Sequence, residues 1–307
     1  MGGKRTEIVL ADPAGITRAA QVIRDGGLVA VPTETVYGLA ARADSEEAVA
    51  GIYRAKGRPD FNPLIVHVRD TDHARELVEW PDAAENLAAQ YWPGPLTMVL
   101  PLLPGAPVTP AVTAGLPTLA VRCPRHPVMQ ALLAETRLPL AAPSANRSNA
   151  VSPTTADHVL ATLDGRIDLV LDGGPSEAGL ESTIVALRDN GRRELLRPGP
   201  VEVPGAELAD AGDRVEAPGQ LRRHYSPGKP VRLHASEAQE DEFLIGFGKI
   251  GGACSLSESG EMFEAAARLY ACLHEASASD MPRIAVAPIP DAGIGLAIND
   301  RLRRAAA

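Results

Sequence analysis

Aromatic residues make up only 4% of this 307-residue chain, so its core has to be built from Ala, Val, Leu and Ile rather than from large rings. Cysteine is scarce as well. Cys123, Cys254 and Cys272 stand far apart and no Cys-x-x-Cys pair occurs. That excludes a zinc ribbon or a redox dithiol, and an odd count without a disulfide framework fits a reducing compartment. No apolar run approaches the ~18 residues of a membrane span. The opening Met-Gly-Gly-Lys-Arg-Thr-Glu holds no apolar stretch long enough for a secretory signal. The expectation is a soluble, cytoplasmic chain.

Basic charge is not in excess either. A net charge of −9 speaks against a protein that coats nucleic acid by bulk electrostatics. Positive charge is local instead, at Arg54, Lys56, Arg58, Arg122, Arg125, Arg192, Arg193 and Arg197. There is no Gly-x-x-x-x-Gly-Lys-Ser/Thr loop, no Gly-x-Ser-x-Gly elbow and no His-Glu-x-x-His pair. Switch ATPases, ordinary serine hydrolases and zinc proteases are thereby set aside. With no covalent nucleophile and base in view, chemistry has to come from positioning and electrostatics on substrates that already react with each other.

At 45% hydrophobic, the chain can bury a large domain and a small one. Residues 14–25 have helical spacing and stop at Gly26-Gly27, and Ser45 caps a helix running to Arg54 with Glu46 and Glu47 in its first turn. Further helices are predicted over 83–91, 126–136 and 154–160. Strands are predicted over 28–31, 64–68, 96–100, 119–122, 138–142, 169–172 and 182–187. Such interleaving predicts an α/β domain with a twisted, mixed sheet over 1–197. Eight prolines and glycines then crowd residues 198–219, which reads as an extended linker over 198–230. Residues 231–307 follow as a small three-layer α/β (Rossmann-like) domain, with strands near 231–234, 243–246 and 283–287 and helices near 262–275 and 294–305.

Six clusters can carry chemistry. Thr33, Thr35 and Tyr37 lie on the loop after a strand, where open α/β sheets hold ligands; alternatively, the threonines only satisfy a local turn. Lys56, Arg58, Asn62 and His67 follow, with Pro59 and Pro63 breaking any helix. Fixed Lys and Arg donors there answer a triphosphate with charge-assisted bonds, while His67, alternating on a strand, reads first as a core histidine. Arg122 closes the apolar run Thr118-Leu-Ala-Val and needs an anion, either a carboxylate or a ligand. Ala142-Pro-Ser-Ala-Asn146 with Ser152 brings small hydroxyl and amide groups to the end of another strand. Gly179-Leu-Glu-Ser-Thr-Ile-Val185 and Leu196-Arg-Pro-Gly199 complete the set.

Pro32-Thr-Glu-Thr-Val-Tyr-Gly38, Lys56-x-Arg-Pro59, Ser144-Ala-Asn146 and Glu181-Ser-Thr-Ile-Val185, in this order, resemble the threonylcarbamoyl-adenylate synthases of the YrdC/Sua family. The segment Pro218-Gly-Gln-Leu-Arg-Arg-His-Tyr-Ser-Pro227 and the end from Gly295 to Ala305 resemble its two-domain branch. Gln220 and Arg222 stand where the family more often has Met and an aromatic, and Ala186 where Asp is frequent. The resemblance implies a YrdC-like catalytic domain that joins L-threonine, bicarbonate and ATP into threonylcarbamoyl-AMP, with Mg²⁺ accompanying the ATP. The product serves N6-threonylcarbamoyladenosine formation in tRNA, which makes tRNA threonylcarbamoyl-transferase proteins the downstream partners and tRNA a further contact. On the resemblance, Thr35, His67, Arg122, Ala142 and Ser182 hold threonine. Arg58, Asn62, Thr118, Ser144, Ser152, Arg197 and Tyr225 hold ATP, with Lys56 and Arg58 as the catalytic cations. The competing reading is an RNA-binding module of the same fold without synthase activity.

Overall fold

The computed structural model describes residues 5–188, 190–209, 216–219 and 224–307. Gln220 and Arg222 lie outside the described residues. The chain opens with β1 (Glu7–Leu10), α1 (Pro13–Arg24), β2 (Val29–Val31), β3 (Gly38–Arg42) and α2 (Glu46–Lys56). Next come β4 (Ile65–His67), α3 (Thr71–Arg75), α4 (Asp82–Tyr91), β5 (Leu96–Pro101), α5 (Pro110–Thr113) and β6 (Thr118–Arg122). They are followed by α6 (Pro127–Thr136), β7 (Leu140–Ala141), α7 (Ala156–Leu163), β8 (Leu169–Asp172), β9 (Thr183–Leu187), β10 (Arg193–Arg197) and β11 (Ala206–Leu208).

Local chemistry sets the helix ends. The Asp12 side chain accepts from Gly15 N at 2.8 Å ahead of Pro13, which suits the first helical position. Ser45 caps α2 as the sequence predicts, and Gly57 ends it in the left-handed conformation at φ 60°. β1 to β11 form a mixed sheet in the order β1-β8-β2-β3-β7-β4-β6-β5-β9-β10-β11. Its main core lies under α2 and α4 and is built from small aliphatics such as Ala41, Val49, Ile52, Leu64, Val66 and Leu96.

Two elements depart from the sequence reading. Residues 38–42 form β3, antiparallel to β2, so the hydroxyl-rich segment is the turn of a hairpin and not a lead into a helix. The 198–230 segment is not wholly a linker, because β11 pairs in parallel with β10 and Val203 is buried in the main core.

The C-terminal unit contains β12 (Val231–Arg232), β13 (Glu242–Gly246), β14 (Cys254–Ser255), α8 (Met262–Ala278), β15 (Arg283–Val286) and α9 (Ile294–Ala305). Its parallel strands run β12-β15-β13-β14, and α8 packs against α9. The core of this unit continues into the rest of the chain, taking in Val36, Val151, Leu180 and Tyr225. Gly179 makes the close approach possible: at φ +65°, a Cβ there would stand 2.4 Å from the Ala267 carbonyl oxygen of α8. The expectation of unpaired cysteines is corrected as well. Strand β14 lies along α8, so Cys254 and Cys272 form a disulfide with their Cα atoms 6.1 Å apart, leaving Cys123 buried and free.

Candidate functional site

β4 runs parallel to β6 in a register that sets His67 beside Arg122, at the carboxyl ends of neighbouring strands. The β2–β3 turn folds over them. Thr33 Oγ1 donates to the Val36 carbonyl at 2.7 Å and accepts from Thr35 N and Val36 N. Thr33 therefore makes the turn and leaves Thr35 facing the arginine. Arg122 donates from Nη1 to Thr35 Oγ1 (2.9 Å), from Nη2 to Glu34 Oε1 (2.6 Å) and from Nε to the Gly94 carbonyl (3.2 Å). Burial alone would raise the Glu34 carboxyl. The Arg122 cation and its hydrogen bond outweigh this and hold it below the ordinary range. His67 is buried with Nδ1 unpartnered. Burial, and then the Arg122 cation, lower its pKa to about 3, so the imidazole is neutral at pH 7.

Opposite these residues lie two guanidiniums, Arg58 and Arg197, the second within electrostatic reach of the Glu181 carboxylate. Arg58 donates to the carbonyls of Asn62 (3.2 Å) and Pro63 (2.9 Å). Arg197 donates to the Ser182 carbonyl (3.0 Å), Ser182 Oγ (3.1 Å) and the Pro218 carbonyl (3.3 Å). Neither has a carboxylate within ion-pair distance among the described residues, although both are buried. Burial lowers Arg58 to about 10, with Arg197 contributing. Two such cations side by side favour binding of an anion of high charge.

Tyr225 closes the cavity from above. It is fully buried, holds a left-handed backbone at φ 62°, and its hydroxyl has no partner. Gly219, at φ +87°, lies against it and Arg197; a Cβ there would stand 3.2 Å from the Tyr225 hydroxyl and 2.9 Å from Arg197 Cδ.

Together these residues enclose one cavity. Thr35, His67, Arg122, Ala142 and Ser182 line it together with Arg58, Ser144, Arg197 and Tyr225. Four expected residues do not line it, each for a local reason. Lys56 Nζ donates to the Ser144 and Asn146 carbonyls, both at 2.6 Å, and so shapes the Ser144 loop from behind. Burial, with Arg58 nearby, pushes its ammonium well below the usual lysine range. Asn62 supports Arg58 through its carbonyl. Thr118 opens β6, opposite Pro101 and away from the carboxyl end of that strand. Ser152 Oγ donates to Glu181 Oε1 at 2.5 Å.

Three participants were missed. Glu34 was signalled by Arg122, whose demand for an anion pointed to a carboxylate partner as much as to a ligand. Glu181 and His224 line the cavity; both lie inside motifs that the sequence singles out, which assign them no role of their own. Glu181 is fully enclosed. Burial opposes its charge, but Arg301, Arg197 and hydrogen bonds from Ser152 and Tyr270 lower it to about 2.

Among the described residues no three His, Cys, Asp or Glu side chains gather to hold a metal, and no helix is long and apolar enough to cross a membrane. A sequence profile described as "Telomere recombination" (Sua5, yciO, yrdC) matches residues 21–199. A second, described as "Threonylcarbamoyl-AMP synthase, C-terminal domain", matches residues 183–307. The threonylcarbamoyl-AMP synthase of Bacillus subtilis is 39% identical over 98% of this chain and 95% of its own. That of Pyrococcus abyssi is 38% identical over 94% of this chain and 92% of its own. The crystal structure of P. abyssi Sua5 complexed with L-threonine overlays with a TM-score of 0.89 at 35% identity, covering 98% of this chain and 97% of that one.

Proposed function

The chain belongs to the Sua5/YciO/YrdC family and carries the threonylcarbamoyl-AMP synthase C-terminal domain, and from that premise we propose that it is a threonylcarbamoyl-AMP synthase. It is a nucleotidyltransferase that joins L-threonine, bicarbonate and ATP, releases pyrophosphate and supplies tRNA threonylcarbamoyladenosine modification. The observation that carries the reading is the pair of buried guanidiniums, Arg58 and Arg197, with no carboxylate at ion-pair distance among the described residues, in one cavity with Thr35, neutral His67 and Arg122.

The roles follow from the charges. Arg122 is neutralised by Glu34 and keeps a directed N–H fork for the threonine carboxylate, with Thr35, His67, Ala142 and Ser182 around it. Arg58 and Arg197, with Ser144, answer the triphosphate, and Tyr225 closes over the nucleotide. Asn62, Lys56 and Ser152 act through the groups they hold. Mg²⁺ would accompany the ATP substrate and would help neutralise the charge of its phosphates. The reading puts the work in the cytoplasm, and the tRNA that the product serves, with the transferase that consumes it, supports that.

In the reaction, the threonine amine adds to bicarbonate with loss of water, and the carbamate oxygen then attacks the α-phosphorus as the bond to pyrophosphate breaks. The carbamate is unstable in water, so a cavity closed by Tyr225 protects it. The guanidiniums stabilise the charge that develops on the departing phosphates. Threonine differs from serine by one methyl, worth only ~1–3 kcal/mol of discrimination, so serine is a slow alternative substrate.

Pyrophosphate release from ATP, measured with and without L-threonine and bicarbonate, tests the reading. Release that requires both supports it; salt-dependent tRNA binding with no threonine-dependent release overturns it in favour of an RNA-binding module.

A further inference from the structure

The closing stretch of the chain, Gly295 to Ala305, has no place in the cavity as described so far. It forms α9, whose inner face carries Ala297, Ile298, Leu302 and Ala305 into the C-terminal core. Arg301 lies on that same face and is wholly buried. An arginine on the core face of a helix is destabilising unless its donors find partners. Here all but one of its partners lie outside the C-terminal unit, Asp300 being the exception, and Nη2 has none among the described residues.

Arg301 Nε donates to Glu181 Oε2 at 3.1 Å. Its Nη1 donates to the Pro198 carbonyl at 2.7 Å and to Asp300 Oδ2 at 3.0 Å. Its guanidinium carbon lies 5.6 Å from the centre of the Tyr225 ring, within cation–π reach. Tyr270 of α8 adds its hydroxyl to Glu181, at 2.8 and 3.0 Å from the two carboxylate oxygens.

These partners occupy three walls of the cavity. Glu181 lines the cavity itself and immediately precedes Ser182, whose carbonyl and hydroxyl both accept from Arg197. Pro198 immediately follows Arg197. Tyr225 is the closure, held at its flanks by Ser226 N to the Asn149 carbonyl and His224 N to the Arg304 carbonyl. One guanidinium thus grips the segment before Ser182, the segment after Arg197 and the ring above them.

We propose that Arg301 is a positioning residue of the cavity, through which the C-terminal unit holds Glu181, the Ser182–Arg197 pair and the Tyr225 closure in their working arrangement. The C-terminal unit therefore acts on the nucleotide half of the site without touching the reacting atoms. The steady-state part of the test rests on the synthase reading; the exchange part does not.

The test uses the full chain with Arg301→Met and Arg301→Lys. Lysine keeps a charge for Glu181 but cannot also serve the Pro198 carbonyl and face the ring, because it lacks the planar fork. For Arg301→Met, kcat/KM for ATP falls by about tenfold or more, while the KM for threonine moves less than about threefold. The threonine KM moves less because Thr35, His67 and Arg122 lie outside the contacts of Arg301, and on the threonine side only Ser182 adjoins a segment that Arg301 grips. For Arg301→Lys the ATP loss is about threefold or more. Amide hydrogen exchange over residues 224–227 speeds up in both variants. Should Arg301→Met fail to fold, Arg301→Lys decides alone. Wild-type ATP kinetics with wild-type exchange in Arg301→Lys overturns the proposal. So does an equal loss toward threonine and ATP, which marks a general loss of folded protein. If the unmodified chain releases no pyrophosphate, the synthase reading fails, and the exchange comparison still decides the role of Arg301.

Discussion

Glu34 and Arg122 meet at 2.6 Å, with side chains 1% and 4% exposed, and the arginine reaches Thr35 with its other terminal N–H. The pair is neutral overall, so it orients a guanidinium without adding net charge to the cavity. Arg122→Ala removes the fork and should abolish threonine-dependent pyrophosphate release while ATP still binds, as read by calorimetry. Glu34→Ala leaves a buried cation unpaired and should cost about 3–5 kcal/mol in a denaturant melt. A melt that stays put in Glu34→Ala contradicts the buried pair.

Tyr225 has a buried hydroxyl with no hydrogen-bond partner among the described residues. Removing it should help the empty protein and hurt the loaded one. Tyr225→Phe is expected to melt at or above the wild-type temperature without nucleotide, a gain of about 1 kcal/mol. It should also gain less from added ATP. Equal stabilisation of both chains by ATP would mean that the hydroxyl does not meet the nucleotide.

Acid should unfold the protein in two stages. His67 and His224 protonate at about 3 when folded, against an ordinary 6.5, because burial disfavours their cations. Glu181 protonates at about 2 against 4.5. In each case the unfolded chain binds more protons, so stability rises with pH. The full contribution is present above 6.5. The histidine share is lost as pH falls from there toward 3, and the Glu181 share as it falls from 4.5 toward 2. Thermal melts from pH 7.5 to 4 should decline throughout, and a flat profile between 7 and 5 would contradict buried neutral histidines.

Gly179 touches the backbone of α8, and its φ is positive. Gly179→Ala should destabilise the chain by more than about 2 kcal/mol, with faster amide exchange in α8. Wild-type stability in that variant would show that the two units are not packed as described.

Reduction should also be felt. Cys254 and Cys272 are 18 residues apart in sequence, a loop whose closure is worth about 3 kcal/mol by chain entropy. Melts with and without reductant, alongside Cys272→Ser, should show a common loss. The C-terminal unit is where it should fall.

Much of this site could be read in the sequence because its residues sit at the ends of short aliphatic strands. Arg122 closes β6, Ser182 precedes β9 and Arg197 closes β10, and each stands out against Val, Leu and Ile. Strand order could not be read. Nothing local says that β4 pairs in parallel with β6, so His67 looked like core until Arg122 was set beside it. Gly38-Leu-Ala-Ala-Arg42 hid a strand behind small residues of weak β preference. The proline-rich segment hid β11 because pairing along a sheet edge leaves little trace in three residues. The disulfide depends on where β14 lies on α8, a contact no spacing rule records. Arg301 was the hardest to read: an arginine four residues from Ala297 and Ala305 looks like a mistake on an apolar face until its partners are known.

The order of the strands carries a consequence for how the protein comes into being. Among the described strands β1 pairs with β8, some 160 positions further on, so it waits for most of the sheet to be made. Such distant pairings slow folding. Arg301 lies within α9, so the walls it joins stay apart until that helix has been made. A half-made copy of this protein has the cations but no chamber, and no means of consuming ATP.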